Sequence, residues 1–246
     1  MLLIGGCAPK QPAQFMQEGV RWHAYEAARG QQIALQKQVR DGWRVDGSLR
    51  LESAHDARSV RVRVDGQGQT RMRLQAMGPF RQLMMEVWLG PLWLERLLPE
   101  KKQVERVSAD AAGLGYFTGV ALDPKRLVAL LLGVAELKDH WVWYAGDYWL
   151  TTGQGDKLRL DPATGRLLER RGKVHDDLPY IVRYHWPEKA KPGRAAMPSR
   201  IEVSVGEQSS LLLRAKRWKF GVKPPPESWR HAYPDTAFLE FWPLRK

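Results

Sequence analysis

The chain has a single cysteine, Cys7, in 246 residues, so no disulfide within the chain can hold it together. It has no run of about 20 apolar residues, and therefore no helix that would cross a bilayer. It has no block of about five or six basic residues of the kind that marks a nucleic-acid arm. The sequence contains neither G-x-x-x-x-G-K-[ST] nor G-x-S-x-G, and no G-x-G-x-x-G follows a strand pattern. Its six histidines, His23, His55, His140, His175, His185 and His231, form no H-E-x-x-H or other short ligand pair. These absences argue against nucleotide-driven, lipase-type, dinucleotide-dependent and zinc-hydrolase chemistry. No catalytic residue, no metal ligand set and no cofactor is expected, and nucleic acid is not expected as a partner.

What is present points to a folded, apolar-cored, basic protein. Hydrophobic residues make up 43% of the chain and there are 11 Trp, which excludes a disordered polymer. A chain of this length buries roughly 70–75% of its unfolded surface and needs no staple. Lys and Arg number 39 against 27 Asp and Glu, a formal charge of +12. The basic residues are dispersed: Arg61, Arg63, Arg71 and Arg73 alternate with apolar residues, as on the wet face of strands. Such a surface is suited to an anionic membrane more than to nucleic acid.

Met1-Leu-Leu-Ile-Gly-Gly-Cys7-Ala-Pro reads as the end of a bacterial lipoprotein signal. Ile4, Gly5 and Gly6 supply the apolar and small side chains that cleavage needs, and the Cys7 thiol is the group that would take a diacylglycerol. The charged leader is missing and the apolar stretch is a stub, which is expected to reflect a start codon placed too far downstream. Ala8 to Gln14, with Pro9 and Pro12, reads as a tether. Residues 1–13 are thus assigned to signal remnant, lipidation site and tether, and 14–246 to one domain.

From about Gln14 to Arg40 the apolar residues Met16, Val20, Ala24, Ala27, Leu35 and Val39 recur at helical spacing, with Gly30 expected to bend or split the helix. The period then changes to two. Trp43, Val45, Gly47, Leu49 and Leu51 share one face of a strand and Arg44, Asp46, Ser48, Arg50 and Glu52 the other. Val60, Val62 and Val64, then Met72, Leu74 and Ala76, then Leu83, Met85, Val87 and Leu89 repeat the alternation. Asp65-Gly66-Gln67-Gly68 is a hairpin turn signal, and Gly78-Pro79 separates the next two strands. This is an antiparallel meander with one apolar face. Asp123 as N-cap, Pro124 at the first helical position and Gly133 as stop predict a short helix rich in Leu. Strands are expected again at Trp141–Ala145, Tyr148–Thr152, Lys157–Leu160, Arg166–Arg170, Tyr180–Trp186, Ser199–Val205 and Leu211–Phe220. Asp161-Pro162-Ala-Thr-Gly165 forms a turn, and Lys189–Pro198 a polar loop. The tail from Ser228 to Leu244 holds Trp229, Tyr233, Phe238, Phe241 and Trp242.

In that order, the lipobox, the opening helix, Trp43-Arg-Val-Asp-Gly-Ser-Leu, Arg71-Met-Arg-Leu-Gln-Ala-Met-Gly78-Pro79-Phe80 and the Asp123-to-Gly133 helix resemble the LolA/LolB superfamily of periplasmic lipoprotein carriers. The lipidated Cys is the mark of its LolB-like receptor branch. The resemblance covers roughly Trp43 to Gly133. It implies an incomplete, half-open antiparallel β-barrel, mostly β, with an N-terminal helix and short lid helices around a hydrophobic cavity. It implies a protein without catalysis or nucleotide that binds acyl chains of lipoproteins or other lipids and delivers them to the outer membrane. Its partners would be a periplasmic LolA-like carrier and an anionic membrane surface, with the chain itself a monomer. The expected lining is Val45, Leu49, Leu51, Val62, Val64, Met72, Leu74, Leu83, Met85, Val87, Leu127 and Leu131. In the receptor branch an exposed apolar residue after the Pro dips into the membrane; Phe80 stands there, flanked by Pro79 and Arg81. Anchoring at Cys7 with Ala8 after it implies the periplasmic face of the outer membrane. The residues alone also allow a structural or assembly lipoprotein of the envelope, with a solid core and a protein partner.

Overall fold

A computed structural model describes residues 12–53, 56–135, 149–152, 155–174, 177–187, 197–207, 209–222 and 238–241. The lipobox with Cys7, the strand expected at Trp141–Ala145, most of the Lys189–Pro198 loop and most of the aromatic tail lie outside these residues.

Helix α1 spans Pro12–Arg40 without a break. The bend expected at Gly30 does not occur, because Gly30 is exposed and nothing lies within 4 Å of where its Cβ would be. One glycine costs a helix about 1 kcal/mol, which a helix held by packing absorbs. Tyr25, Ala28, Leu35 and Val39 form its buried stripe. They lie three, seven and four residues apart, the spacing of one helical face.

The alternating segments become β1 (Trp43–Ser53), β2 (Asp56–Gln67), β3 (Arg71–Met77) and β4 (Leu83–Leu89). Two strands that the patterning did not reveal follow, β5 (Trp93–Leu98) and β6 (Gln103–Ser108), then helices α2 (Ala111–Thr118) and α3 (Pro124–Leu132). The second half supplies β7 (Trp149–Thr151), β8 (Lys157–Leu160), β9 (Leu167–Lys173), β10 (Pro179–His185), β11 (Arg200–Val205) and β12 (Ser209–Phe220). A last strand, β13 (Phe238–Phe241), comes from the aromatic tail.

Among the described residues, thirteen strands form one sheet, ordered β13-β6-β5-β4-β3-β2-β1-β12-β11-β10-β9-β8-β7. Neighbours are antiparallel except β13, which runs parallel to β6. The sheet joins first and last parts of the chain through the pairing of β1 with β12, and it does not close into a barrel. This is the open, incomplete barrel with a few helices that the sequence predicts. The main core lies on the face that α1, α2 and α3 cover, and runs from Tyr25 through Leu213.

Two local differences have physical causes. The turn signal Asp65-Gly66-Gln67-Gly68 is displaced, since β2 continues to Gln67 and the turn begins at Gly68, whose φ is +60°. Gly66 serves another need. A Cβ there would stand 2.1 Å from the Trp43 ring, and Trp43 Nε1 donates to Gly68 O at 3.0 Å. Leu83 does not join Met85 and Val87. The β3–β4 register shifts between Ala76 and Met77, so Met84 is extra, and a bulge turns the residue before it to the other face. Leu83 packs there with Trp88, Leu97 and Val104.

Candidate functional site

The inward side chains of β1 to β4 and β12 meet those of α2 and α3 around one apolar cavity. Val45, Leu49, Leu51, Val62, Val64, Met72, Leu74, Met85, Val87, Leu127 and Leu131 all line it. Leu83 is the one expected lining residue that does not. The structure adds residues the alternation gave no reason to select, among them Leu114 and Phe117 of α2, Leu211 and Leu213 of β12, and Trp218. Among the described residues, Arg96 and Thr118 are the polar side chains in the wall.

The cavity is narrow, ≈ 80 Å³, against roughly 300–1,000 Å³ for a typical ligand pocket. The walls therefore leave little free space between them. Beside it opens a wider groove of ≈ 1000 Å³, lined by Leu51, Val60, Met77, Pro79, Met84 and Leu98 among others. Leu51, Met85, Arg96, Phe117 and Thr118 belong to both spaces and so form the partition between them. Arg96 is held from both sides. Its Nε donates to Glu105 Oε2 at 2.7 Å, and its guanidinium lies 4.5 Å from the centre of the Phe117 ring. Truncating the partition by Phe117→Ala should speed association of a fluorescent fatty acid severalfold in stopped-flow mixing; an unchanged rate would place the entry route elsewhere.

The two helices over the cavity are fixed by different means. At the start of α3, Asp123 accepts from Arg126 N at 3.0 Å, and at its end Gly133 takes the left-handed conformation. Burial beneath it is polar. Asp156, 1% exposed, accepts from Arg126 at 2.8 Å and from Arg170 Nε at 2.9 Å, and Arg170 also donates to Val134 O at 3.0 Å. Tyr180 Oη accepts from both arginines, and Tyr184 Oη donates to Leu130 O at 2.9 Å. Burial pushes both phenols above their ordinary pKa, so both remain protonated. Gly172 leaves the room for this network, for a Cβ there would stand 2.0 Å from Asp156 Oδ1. From α1, Gln32 donates to Gly133 O and accepts from Ala135 N. Helix α2 has its Asp110 cap, the Arg96 stack and one bond from Ser209 to Gly119 O.

At one rim of the groove the β3–β4 connection is a defined turn. Gly78 N donates to Gln82 O, Arg81 N to Gly78 O, and Phe80 N to Gln82 Oε1. Arg81 sits at φ 63°, a conformation uncommon outside glycine. The turn leaves Phe80 91% exposed, with Pro79 and Arg81 exposed on either side.

No family model matches the chain, and no curated protein matches it. Solved structures do. A domain described as an outer-membrane lipoprotein-sorting protein from Vibrio parahaemolyticus aligns over 82% of this chain and 94% of its own, at 12% identity and TM-score 0.54. A LolA-superfamily protein from Nitrosomonas europaea aligns over 82% and 98%, at 13% identity and TM-score 0.52. A DUF1329-family protein from Desulfovibrio piger aligns over 84% and 97%, at 12% identity and TM-score 0.53. At such identities the likeness is one of fold. The class it defines is the open half-barrel with helices on its concave face, a fold this chain shares with a LolA-superfamily protein and a lipoprotein-sorting domain.

Proposed function

We propose that this protein is a lipid-anchored carrier or receptor of the cell envelope, which takes acyl chains of lipoproteins or other lipids into the half-barrel and passes them to a membrane. The observation that carries the reading is an almost wholly apolar cavity separated by a single shared wall from a groove whose rim ends in the exposed Phe80. Likeness of fold to a lipoprotein-sorting domain supports it. The finer form is a LolB-like receptor at the periplasmic face of the outer membrane, anchored through Cys7 and loaded by a LolA-like carrier. Burying a methylene in lipid is worth about 0.8 kcal/mol, so a chain with ~14 buried methylenes is held by roughly 11 kcal/mol. A carrier has to offer an apolar wall of comparable quality, and cargo then moves toward the tighter site without nucleotide.

Saturable uptake of a fluorescent fatty acid by protein purified without detergent tests the binding step. A folded protein that takes up none would sink the reading. It would favour the alternative of an assembly lipoprotein with a filled core, on whose side the narrowness of the cavity counts. The delivery step is tested at Phe80. Immersing one Phe contributes about 1.5–3 kcal/mol, so Phe80→Glu should slow transfer of bound lipid into liposomes by about tenfold to a hundredfold while uptake persists. Unchanged transfer would remove Phe80, Pro79 and Arg81 from the membrane contact.

A further inference from the structure

The outward face of the sheet beside the Phe80 turn carries a groove of ≈ 860 Å³ whose walls include Arg61, Arg63, Arg81, Arg214, Lys216 and Arg217. Among the described residues, Asp46 is the one carboxylate in it. That carboxylate is already committed, for Oδ1 accepts from Arg63 at 3.0 Å and Oδ2 from Arg217 at 2.7 Å. Burial alone would raise the Asp46 pKa, but the two arginines outweigh it and hold the group below its ordinary value, so it stays ionised. Among the described residues, Arg61, Arg81, Arg214 and Lys216 are left with no carboxylate partner.

The strand register arranges two of these cations in a particular way. Ser48 of β1 stands opposite Arg61 of β2 on one side and opposite Arg214 of β12 on the other. Adjacent strands lie about 4.8 Å apart, so the two arginines leave the sheet about 10 Å from each other with a small hydroxyl between them. Arg61, Ser48 and Arg214 all line the groove, and two guanidinium forks rising on either side of a serine suit a tetrahedral anion, which each arginine can grip by two parallel N–H bonds. Facing like charges without a carboxylate between them is unfavourable in a sheet. Two residues earlier on β1, Asp46 neutralises the arginines on either side of it, and at Ser48 no carboxylate among the described residues does. On its other side Arg61 is paired with Met77, the last residue of β3 before the turn that exposes Phe80.

We infer that the slot between Arg61 and Arg214 binds the phosphate of anionic phospholipid headgroups in a bilayer. Commitment to a bilayer comes from the neighbouring side chains. Arg81 lines the groove while the residue before it projects an aromatic ring into solvent, and cations beside an exposed apolar group match the level at which headgroup phosphates meet acyl chains. Gly78 and Pro79 of the same turn border the mouth groove, so phosphate capture on the outer face also sets the mouth against the membrane. The inference rests on the membrane-delivery part of the function proposed above and names the lipid group recognised.

The test uses the full chain carrying Cys7→Ser, so that no acyl anchor contributes, sedimented with vesicles of phosphatidylcholine alone or mixed with phosphatidylglycerol. Arg61→Gln with Arg214→Gln should weaken binding to the mixed vesicles about thirtyfold. Lys37→Gln with Arg40→Gln, which removes the same charge near the C-terminal end of α1, should weaken it far less. Added salt should shrink the difference. The extent of fatty-acid uptake at equilibrium, measured on the same samples, should be equal in all three proteins, because neither Arg61, which borders the mouth groove, nor Arg214 lines the inner cavity. Equal vesicle binding by the two double variants would overturn the slot and leave only net charge. Inorganic phosphate binding that depends on Arg61 and Arg214, with vesicle binding unaffected by their loss, would overturn it in favour of a free-anion site. Loss of fatty-acid uptake in the unsubstituted slot would count against the carrier reading, and vesicle binding would still judge the slot separately.

Discussion

Leu74→Glu is expected to reduce uptake of an acyl probe by more than a hundredfold. Leu74 stands between Val64 of β2 and Val87 of β4 in the register, and all three side chains line the cavity. A carboxylate there loses its hydration, and Arg96, the cation in the same wall, is already paired with Glu105, so the cost is several kcal/mol per ion. It either draws water into the cavity or takes up a proton, and in both forms the wall ceases to resemble lipid. A titration with a fluorescent fatty acid reads the loss, and circular dichroism reports whether the sheet survives. Leu74→Phe serves as the uncharged comparison, which fills space and should cost less. Normal uptake by a folded Leu74→Glu protein would show that chains bind somewhere other than this cavity.

Asp156→Ala should cost about 3–5 kcal/mol of stability, the usual result of stranding a buried charge. Arg170 would be left 5% exposed with its one carboxylate partner gone. For a chain of this size the loss corresponds to a fall of about 6–20 °C in melting temperature. Lys173→Ala, which breaks an ion pair with both side chains well exposed, should shift it by far less. Below its melting temperature the Asp156 variant should also take up less probe, because Leu127 and Leu131 hang from the helix that this network fastens. A melting temperature within a degree or two of the original would mean that the network is not what secures α3.

The parts of the molecule that were legible in the sequence are those where one physical rule acts alone. Strands β1 to β3 each have one dry and one wetter face, so period two places Val45, Leu49, Val62, Val64 and Leu74 on a common side. Asp123, Pro124 and Gly133 mark both ends of α3 because capping is local. Strands β5 and β6 were illegible for the opposite reason. Their inward positions carry the Arg96–Glu105 pair, while Leu97 and Val104 are buried on the outer face, so neither face reads as apolar. Helix α2 has Asp110 and Gly119 at its ends, but with Gly113 and Gly115 inside it the sequence resembles a loop. Leu83 went to the wrong face because a bulge adds a residue without changing the composition. The exposure of Phe80 could be expected from a turn; the pairing of Arg61 and Arg214 across Ser48 could not, since β1 and β12 are separated by most of the chain.

An open half-barrel has two free margins, and unpaired main-chain groups there are templates on which a second chain can add a strand. Among the described residues, this sheet has its shortest strands at both. The longest strands, β1, β2 and β12, lie together in the interior of the order, while its terminal members are β7, three residues long, and β13, four residues long. By lying parallel along Gln103–Arg106, β13 occupies donors and acceptors of β6 that the preceding hairpins cannot reach. Phe238–Phe241 thus contribute a selvedge to the sheet, covering a stretch of the β6 margin along which another polypeptide could otherwise add a strand.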